Sequence, residues 1–190
     1  MKTMVFYEDN GRITGVRSGD EESINAEIEL HKDEQFILTE KAPDYINYYV
    51  ESGDVFRKPD QQSKYQEFNY QTKQWEFSLD YSRNLKWDEI KAARTAQEFD
   101  SFEWGGYVFQ CDEVSQRRIQ GAVQLAMLDS GLTLDWTLAD NTVQAFTAAE
   151  FEGIGQALAA HVSQCHERGR ILRQEIDAAT SEQDLEAISW

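Results

Sequence analysis

Residues 147–180 constrain this chain most, because a single helical period runs through them without a proline. Thr147, Ala148, Ala149 and Glu150 spell a capping box. In such a box the hydroxyl accepts from a first-turn amide, and the carboxylate reaches back to the capping residue's own N–H. From Phe151 onward, apolar or small residues recur at Ile154, Leu158, Val162, Cys165, Gly169, Leu172, Ile176 and Ala179. Steps of three and four residues are the spacing of one helix face. Glu152, Gln156, Gln164, Glu167, Arg170 and Asp177 fill the other face, so the pattern predicts an amphipathic helix. Unbroken, it would be about 45–50 Å long. That outruns the core of a small domain, and part of it is expected to meet another chain.

Around that helix, residues 85–190 read as helix, hairpin, helix, hairpin, long helix. Leu85 to Phe99 is predicted helical. Phe102–Trp104 and Tyr107–Gln110 flank Gly105-Gly106, a pair that supplies both positive φ values of a two-residue turn. Ser115 is expected to cap a helix through Leu128, and Leu132 to Phe146 to form a second hairpin about Ala139-Asp140-Asn141. Glu182–Ile188 adds one more turn. The N-terminal part is read as β-rich: a hairpin over residues 1–17, a short helix near Ser23–Leu30, and strands around Phe36–Leu38, Tyr45–Val50 and Val55–Lys58. The fold class is therefore α+β. Three parts are expected: a small β-rich domain over 1–60, an aromatic extended linker over 61–84, and the helix–hairpin domain over 85–190.

The formal charge of −17 speaks against a nucleic-acid footprint and against adhesion to an anionic membrane. No run of apolar residues has the length of a membrane span, and Met1-Lys2-Thr3-Met4 leads into acidic Glu8 and Asp9 rather than a signal-peptide core. Two cysteines, Cys111 and Cys165, make no disulfide framework. The expected address is the cytoplasm of a bacterial cell, with both thiols reduced.

His161, Cys165 and His166 form the one cluster resembling a metal site, with Cys111 as the sole extra ligand. Zinc needs three or four protein ligands, and His161 and Cys165 lie on or beside the packing stripe, so no metal is expected. Cys–His nucleophilic chemistry lacks an orienting carboxylate. Asp112-Glu113 stand where a helix cap and a first-turn acid belong rather than as a catalytic pair. No enzyme activity and no cofactor are expected.

The interaction candidates are Tyr65, Phe68, Tyr70, Trp75 and Phe77, interleaved with Gln, Asn and Lys. They belong to a segment, Phe36–Trp87, that holds 12 of the chain's 23 aromatic residues. Such rings stack on sugars, anchor protein interfaces, or pack on the chain's own domains.

The C-terminal part resembles a small α+β domain common at the C-terminus of phage tail and tail-fibre-associated proteins. Trp87, Ala92-Ala93-Arg94, Phe102, Trp104, Gly106, Phe109 and Asp112 carry the resemblance. Further on it continues through Ile119, Gly121-Ala122, Trp136, Asp140-Asn141, the Thr147 cap, His161, Arg173, Ile176 to Thr180, and the closing Leu185, Ala187-Ile188 and Trp190. Tyr48-Tyr49-Val50 through Pro59, with Phe68-Asn69-Tyr70 and Lys73-Gln74-Trp75, is similar to the leader of tail-fibre assembly proteins of contractile phages and phage-tail-like bacteriocins. The resemblance implies a non-enzymatic chaperone that binds the C-terminal, receptor-binding tip of a trimeric tail fibre, with self-association as a further possibility. A fibre-bound structural subunit that reads carbohydrate is the alternative. Nothing comparable is recognised in the first 40 residues.

Overall fold

A computed structural model describes residues 1–190 and gives an α+β fold. The chain divides into two units, Met1–Tyr81 and Ser82–Trp190.

Unit 1 is built on β1 (Lys2–Tyr7), the central strand of an antiparallel sheet of order β2-β1-β3, with β2 at Ile13–Gly19 and β3 at Phe36–Thr39. Thr3, Met4, Val5 and Phe6 are all buried, as a strand covered on both faces requires. Met4 and Phe6 face Ile24 and Ile28 of α1 (Glu21–Leu30), which Asp20 caps by accepting from the Ser23 N–H at 2.8 Å. Val5, one residue out of phase, packs with Ile13 and with Val50. Val50 belongs to a hairpin formed by β4 (Tyr48–Glu51) and β5 (Asp54–Arg57). It comes so close to the β1–β2 turn that a Cβ on Gly11 would sit 2.0 Å from the Val50 carbonyl oxygen. Gly11 also has φ +90°, a conformation that favours glycine.

Residues 61–84 are not an extended linker. β6 (Gln66–Asn69) and β7 (Gln74–Phe77) pair as a hairpin of unit 1, and α2 (Leu79–Glu98) follows at once. Phe68 stands directly opposite Trp75, with ring centroids 5.3 Å apart and edge-on. Asn69 and Thr72 both donate to the Glu76 carboxylate across the turn, holding it below the ordinary carboxylate range. Cross-strand pairing of this kind gives aromatic rings more contact than a ribbon would.

In unit 2, α2 leads to the hairpin of β8 (Ser101–Trp104) and β9 (Tyr107–Gln110), where Gly105 and Gly106 take φ +61° and +82°. Helix α3 (Glu113–Leu128) is capped by Asp112 rather than by Ser115. The Asp112 side chain accepts from the Val114 and Ser115 N–H groups, and Ser115 donates its hydroxyl back to it at 2.6 Å. The second hairpin joins β10 (Thr133–Thr137) to β11 (Val143–Thr147), with Asn141 in the left-handed region of its turn.

Helix α4 (Ala148–Ala178) begins at the capping box: Thr147 accepts from the Glu150 N–H, and the Glu150 carboxylate accepts from Thr147 N–H at 2.8 Å. Its stripe is buried at Phe151, Ile154, Leu158, Cys165, Gly169, Leu172 and Ile176, with Val162 half-buried. The length expected to meet another chain is instead covered from within. The first half packs with Phe102, Phe109, Ile119, Ala122 and Phe146 from α3 and both hairpins. The second half is met by an antiparallel α2. The Gln97 carbonyl accepts from His161 Nε2 at 3.1 Å, and Glu98 pairs with His166. Further along, Arg94 lies against Gly169, Trp87 beneath Arg173, and Arg83 donates to the Ala179 carbonyl. Buried Lys86 donates to the Ile188 carbonyl just beyond α5 (Glu182–Ala187).

Candidate functional site

A cleft of about 690 Å³ opens in unit 1. The pairing of β4 with β5 and of β6 with β7 brings its wall together. Tyr49 opposes Phe56 across the first hairpin, and its ring lies 5.5 Å from that of Phe68. Phe68 in turn meets Tyr70 at 5.0 Å and Trp75 at 5.3 Å. The Trp75 indole donates to the Pro59 carbonyl at 2.6 Å, which fixes the ring plane. Lys73, at φ +58°, closes the β6–β7 turn and donates its ammonium to the carbonyls of Asn10 and Tyr70. That ties this hairpin to the β1–β2 turn.

At the centre of these rings is Lys58, only 9 % exposed. Its ammonium lies 4.9 Å from the centroids of Phe68 and Tyr70 and 5.8 Å from that of Trp75. It donates to the Tyr70 hydroxyl at 2.9 Å. A cation over ring faces is attracted by their negative quadrupole, and more strongly when little water is present. Asn10, Gln66 and exposed Glu67 add polar groups to the lining, and Tyr45, 59 % exposed, stands on the wall.

Of the five residues singled out from sequence, three line the cleft: Phe68, Tyr70 and Trp75. Phe68 is buried, whereas Tyr70 and Trp75 are half-buried and reachable. Tyr65 is fully buried and serves the interior of unit 1, and Phe77, 41 % exposed, lies outside the lining. A side chain with no accessible surface cannot be a contact without local unfolding, so Tyr65 is corrected from a contact to a core residue. Lys58 and Tyr45 are functional candidates that the sequence did not single out. Lys58 sits between Arg57 and Pro59 at a strand end, where a lysine ordinarily reads as a solvated turn residue.

The other chemistry candidates do not assemble. No three His, Cys, Asp or Glu side chains come together as metal ligands. His161 is engaged by the Gln97 carbonyl and His166 by Glu98. Cys111 and Cys165 are buried, and burial pushes both thiols up, away from the thiolate that chemistry would use. Asp112 is the α3 cap, and Glu113 pairs with Arg117. A second, more apolar groove of about 520 Å³ lies between α3 and α4, lined by Ile119, Val123, Met127 and Leu158. No helix is long and apolar enough to cross a membrane.

No curated protein and no solved structure matches the chain. Residues 81–189, which take in essentially all of unit 2 and, of the residues lining the cleft of unit 1, Tyr81 alone, match a family described as a domain of unknown function, DUF4376. The match spans more than half of the chain, which therefore belongs to the DUF4376 family.

Proposed function

We propose that this protein is an assembly chaperone for a phage-type tail fibre, engaging the fibre's C-terminal tip through the aromatic cleft of unit 1. The observation that carries the proposal is the cleft itself. It is an open concavity whose reachable rings, Tyr45, Tyr70 and Trp75, are backed by a rigid layer of Phe68 and Tyr49. Tyrosine and tryptophan on a fixed scaffold give large contact area at small entropic cost, the composition that dominates protein interfaces. The resemblance of residues 48–75 to tail-fibre assembly proteins, and of 85–190 to a domain of phage tail and tail-fibre-associated proteins, suggests the kind of partner. A net charge of −17 suits a protein that keeps an aggregation-prone chain in solution. Co-expression tests it: a long tail-fibre chain encoded beside this protein, where its genome carries one, should be soluble and trimeric only in its presence. Soluble trimers formed without it would refute the proposal.

A second reading is favoured by the same rings set beside amide groups. Tyr70 and Trp75 with Asn10 and Gln66 have the make-up of a sugar site, which would suit a structural subunit retained on the particle. Mass spectrometry of purified particles separates the two, since a released chaperone is substoichiometric and a subunit is not.

A further inference from the structure

Lys58 is the one charged side chain of the cleft that is more than nine-tenths buried. An ammonium carries three donors. One goes to the Tyr70 hydroxyl, a neutral acceptor, and no carboxylate pairs with the group. Three ring faces compensate part of its lost hydration, yet a desolvated cation is balanced fully only by a negative partner. The acids that line the cleft, Glu8 and Glu67, are exposed, and Glu8 is engaged by Asn10. Aromatic faces surround the charge, so the complementary ligand is an anion carried next to a flat or apolar body.

We propose that Lys58 is the recognition point for a carboxylate of a partner polypeptide, an aspartate or glutamate side chain flanked by an aromatic residue that lies on Tyr70 and Trp75. This rests on the cleft being the partner-binding surface and names the chemistry that it selects. A polypeptide is favoured over an acidic sugar by the wall. Tyr45 at 59 % and Ile46 at 67 % exposure extend an apolar flank beyond the ring cluster, which suits neighbouring side chains more than a hydroxylated ring. Carboxylate and carboxamide oxygens can both accept from the ammonium, but only the carboxylate also brings the negative charge that balances it.

The probes are acetyl-Phe-Asp-amide, acetyl-Phe-Asn-amide and galacturonate, titrated into the full chain. The Trp75 indole N–H resonance is the readout, because that group donates to Pro59 beside the site. The Asp peptide should shift it saturably and bind about tenfold or more tightly than the Asn peptide. In Lys58→Met that preference should vanish, with signal dispersion elsewhere unchanged. Equal binding of the two peptides by the wild-type chain, or a preference that survives Lys58→Met, overturns the proposal. So does a saturable response to galacturonate alone, or to none of the three. Because no fibre is present, such a failure leaves the co-expression result to decide the chaperone proposal by itself.

Discussion

Gly153→Ala and Gly121→Ala are the same chemical change in two helix interiors, and the structure gives them opposite signs. Gly121 lies in α3 with nothing within 4 Å of the position that a Cβ would take. Alanine there recovers helix propensity and should stabilise by about 0.5–1 kcal/mol. Gly153 lies in the second turn of α4, where an added Cβ would come within 2.7 Å of Trp104 Cζ2 and 2.9 Å of its Cε2 and Nε1. Carbon atoms rest at about 3.5–4.0 Å, so the indole must retreat by most of an ångström or the helix must lift. The ring is half-buried and packs edge-on at 6.3 Å from Phe146, itself 1 % exposed, so displacing it disturbs a core contact. Overpacking of this kind costs about 1–3 kcal/mol and exceeds the propensity gain of about 1 kcal/mol. Gly153→Ala is therefore expected to destabilise by about 1 kcal/mol, lowering the melting temperature of unit 2 by about 4 °C while Gly121→Ala raises it. Urea unfolding followed by far-ultraviolet circular dichroism gives both values. A Gly153→Ala protein as stabilised as Gly121→Ala would refute the claim that Trp104 seals against α4.

Three further outcomes follow from the caps, the thiols and the hairpin rings. The carboxyls of Glu150, Asp184 and Asp112 are held below their ordinary values, by the Thr147 N–H, the Thr180 N–H and the Ser115 hydroxyl respectively. A folded-state pKa below the unfolded one adds stability that is complete above the unfolded value and lost as pH falls through the folded one. Urea midpoints should thus drop as pH is lowered from about 5 toward 2, and a flat profile would contradict the caps. Iodoacetamide at neutral pH should leave Cys111 and Cys165 unmodified in the folded protein and label both in urea, as mass spectrometry would show; a labelled native thiol would mean local opening. Phe68→Ala should cost unit 1 about 3–5 kcal/mol, whereas Phe77→Ala should stay within about 1 kcal/mol, both measured by urea unfolding.

What the sequence made legible was whatever local chemistry determines. The α4 stripe, its capping box, the Gly105-Gly106 turn and the α+β class all rest on residues within a turn or two of each other. The β6–β7 hairpin stayed hidden because its turn lacks glycine: Lys73 takes the positive φ, held there by the Asn10 carbonyl 63 residues away. The early start of α2 was concealed likewise. Two of its three buried positions are Ser82 and Lys86, and Lys86 pairs with Glu89 and donates to the Ile188 carbonyl 102 residues on. The same long separation misdirected the expectation for α4, whose second half is covered by α2 rather than by another chain. At the α3 cap, Asp112 and Ser115 are both capping types three residues apart, and only the hydrogen-bond directions show which one accepts. In the candidate site, the clustering of aromatic residues was visible and the inside–outside sorting was not. Burial of Tyr65 and of the Lys58 ammonium is set by strand pairings that no single segment encodes.

The central claim is that the cleft of unit 1, rather than the α3–α4 groove, meets the partner. Hydroxyl-radical footprinting of the protein alone and in complex with the fibre tip tests it most directly, because Tyr45, Tyr70 and Trp75 report on the cleft and Met127, 73 % exposed, reports on the groove. Binding at the cleft protects the three rings and leaves Met127 oxidised. Protection of Met127 with the rings still reactive would contradict it.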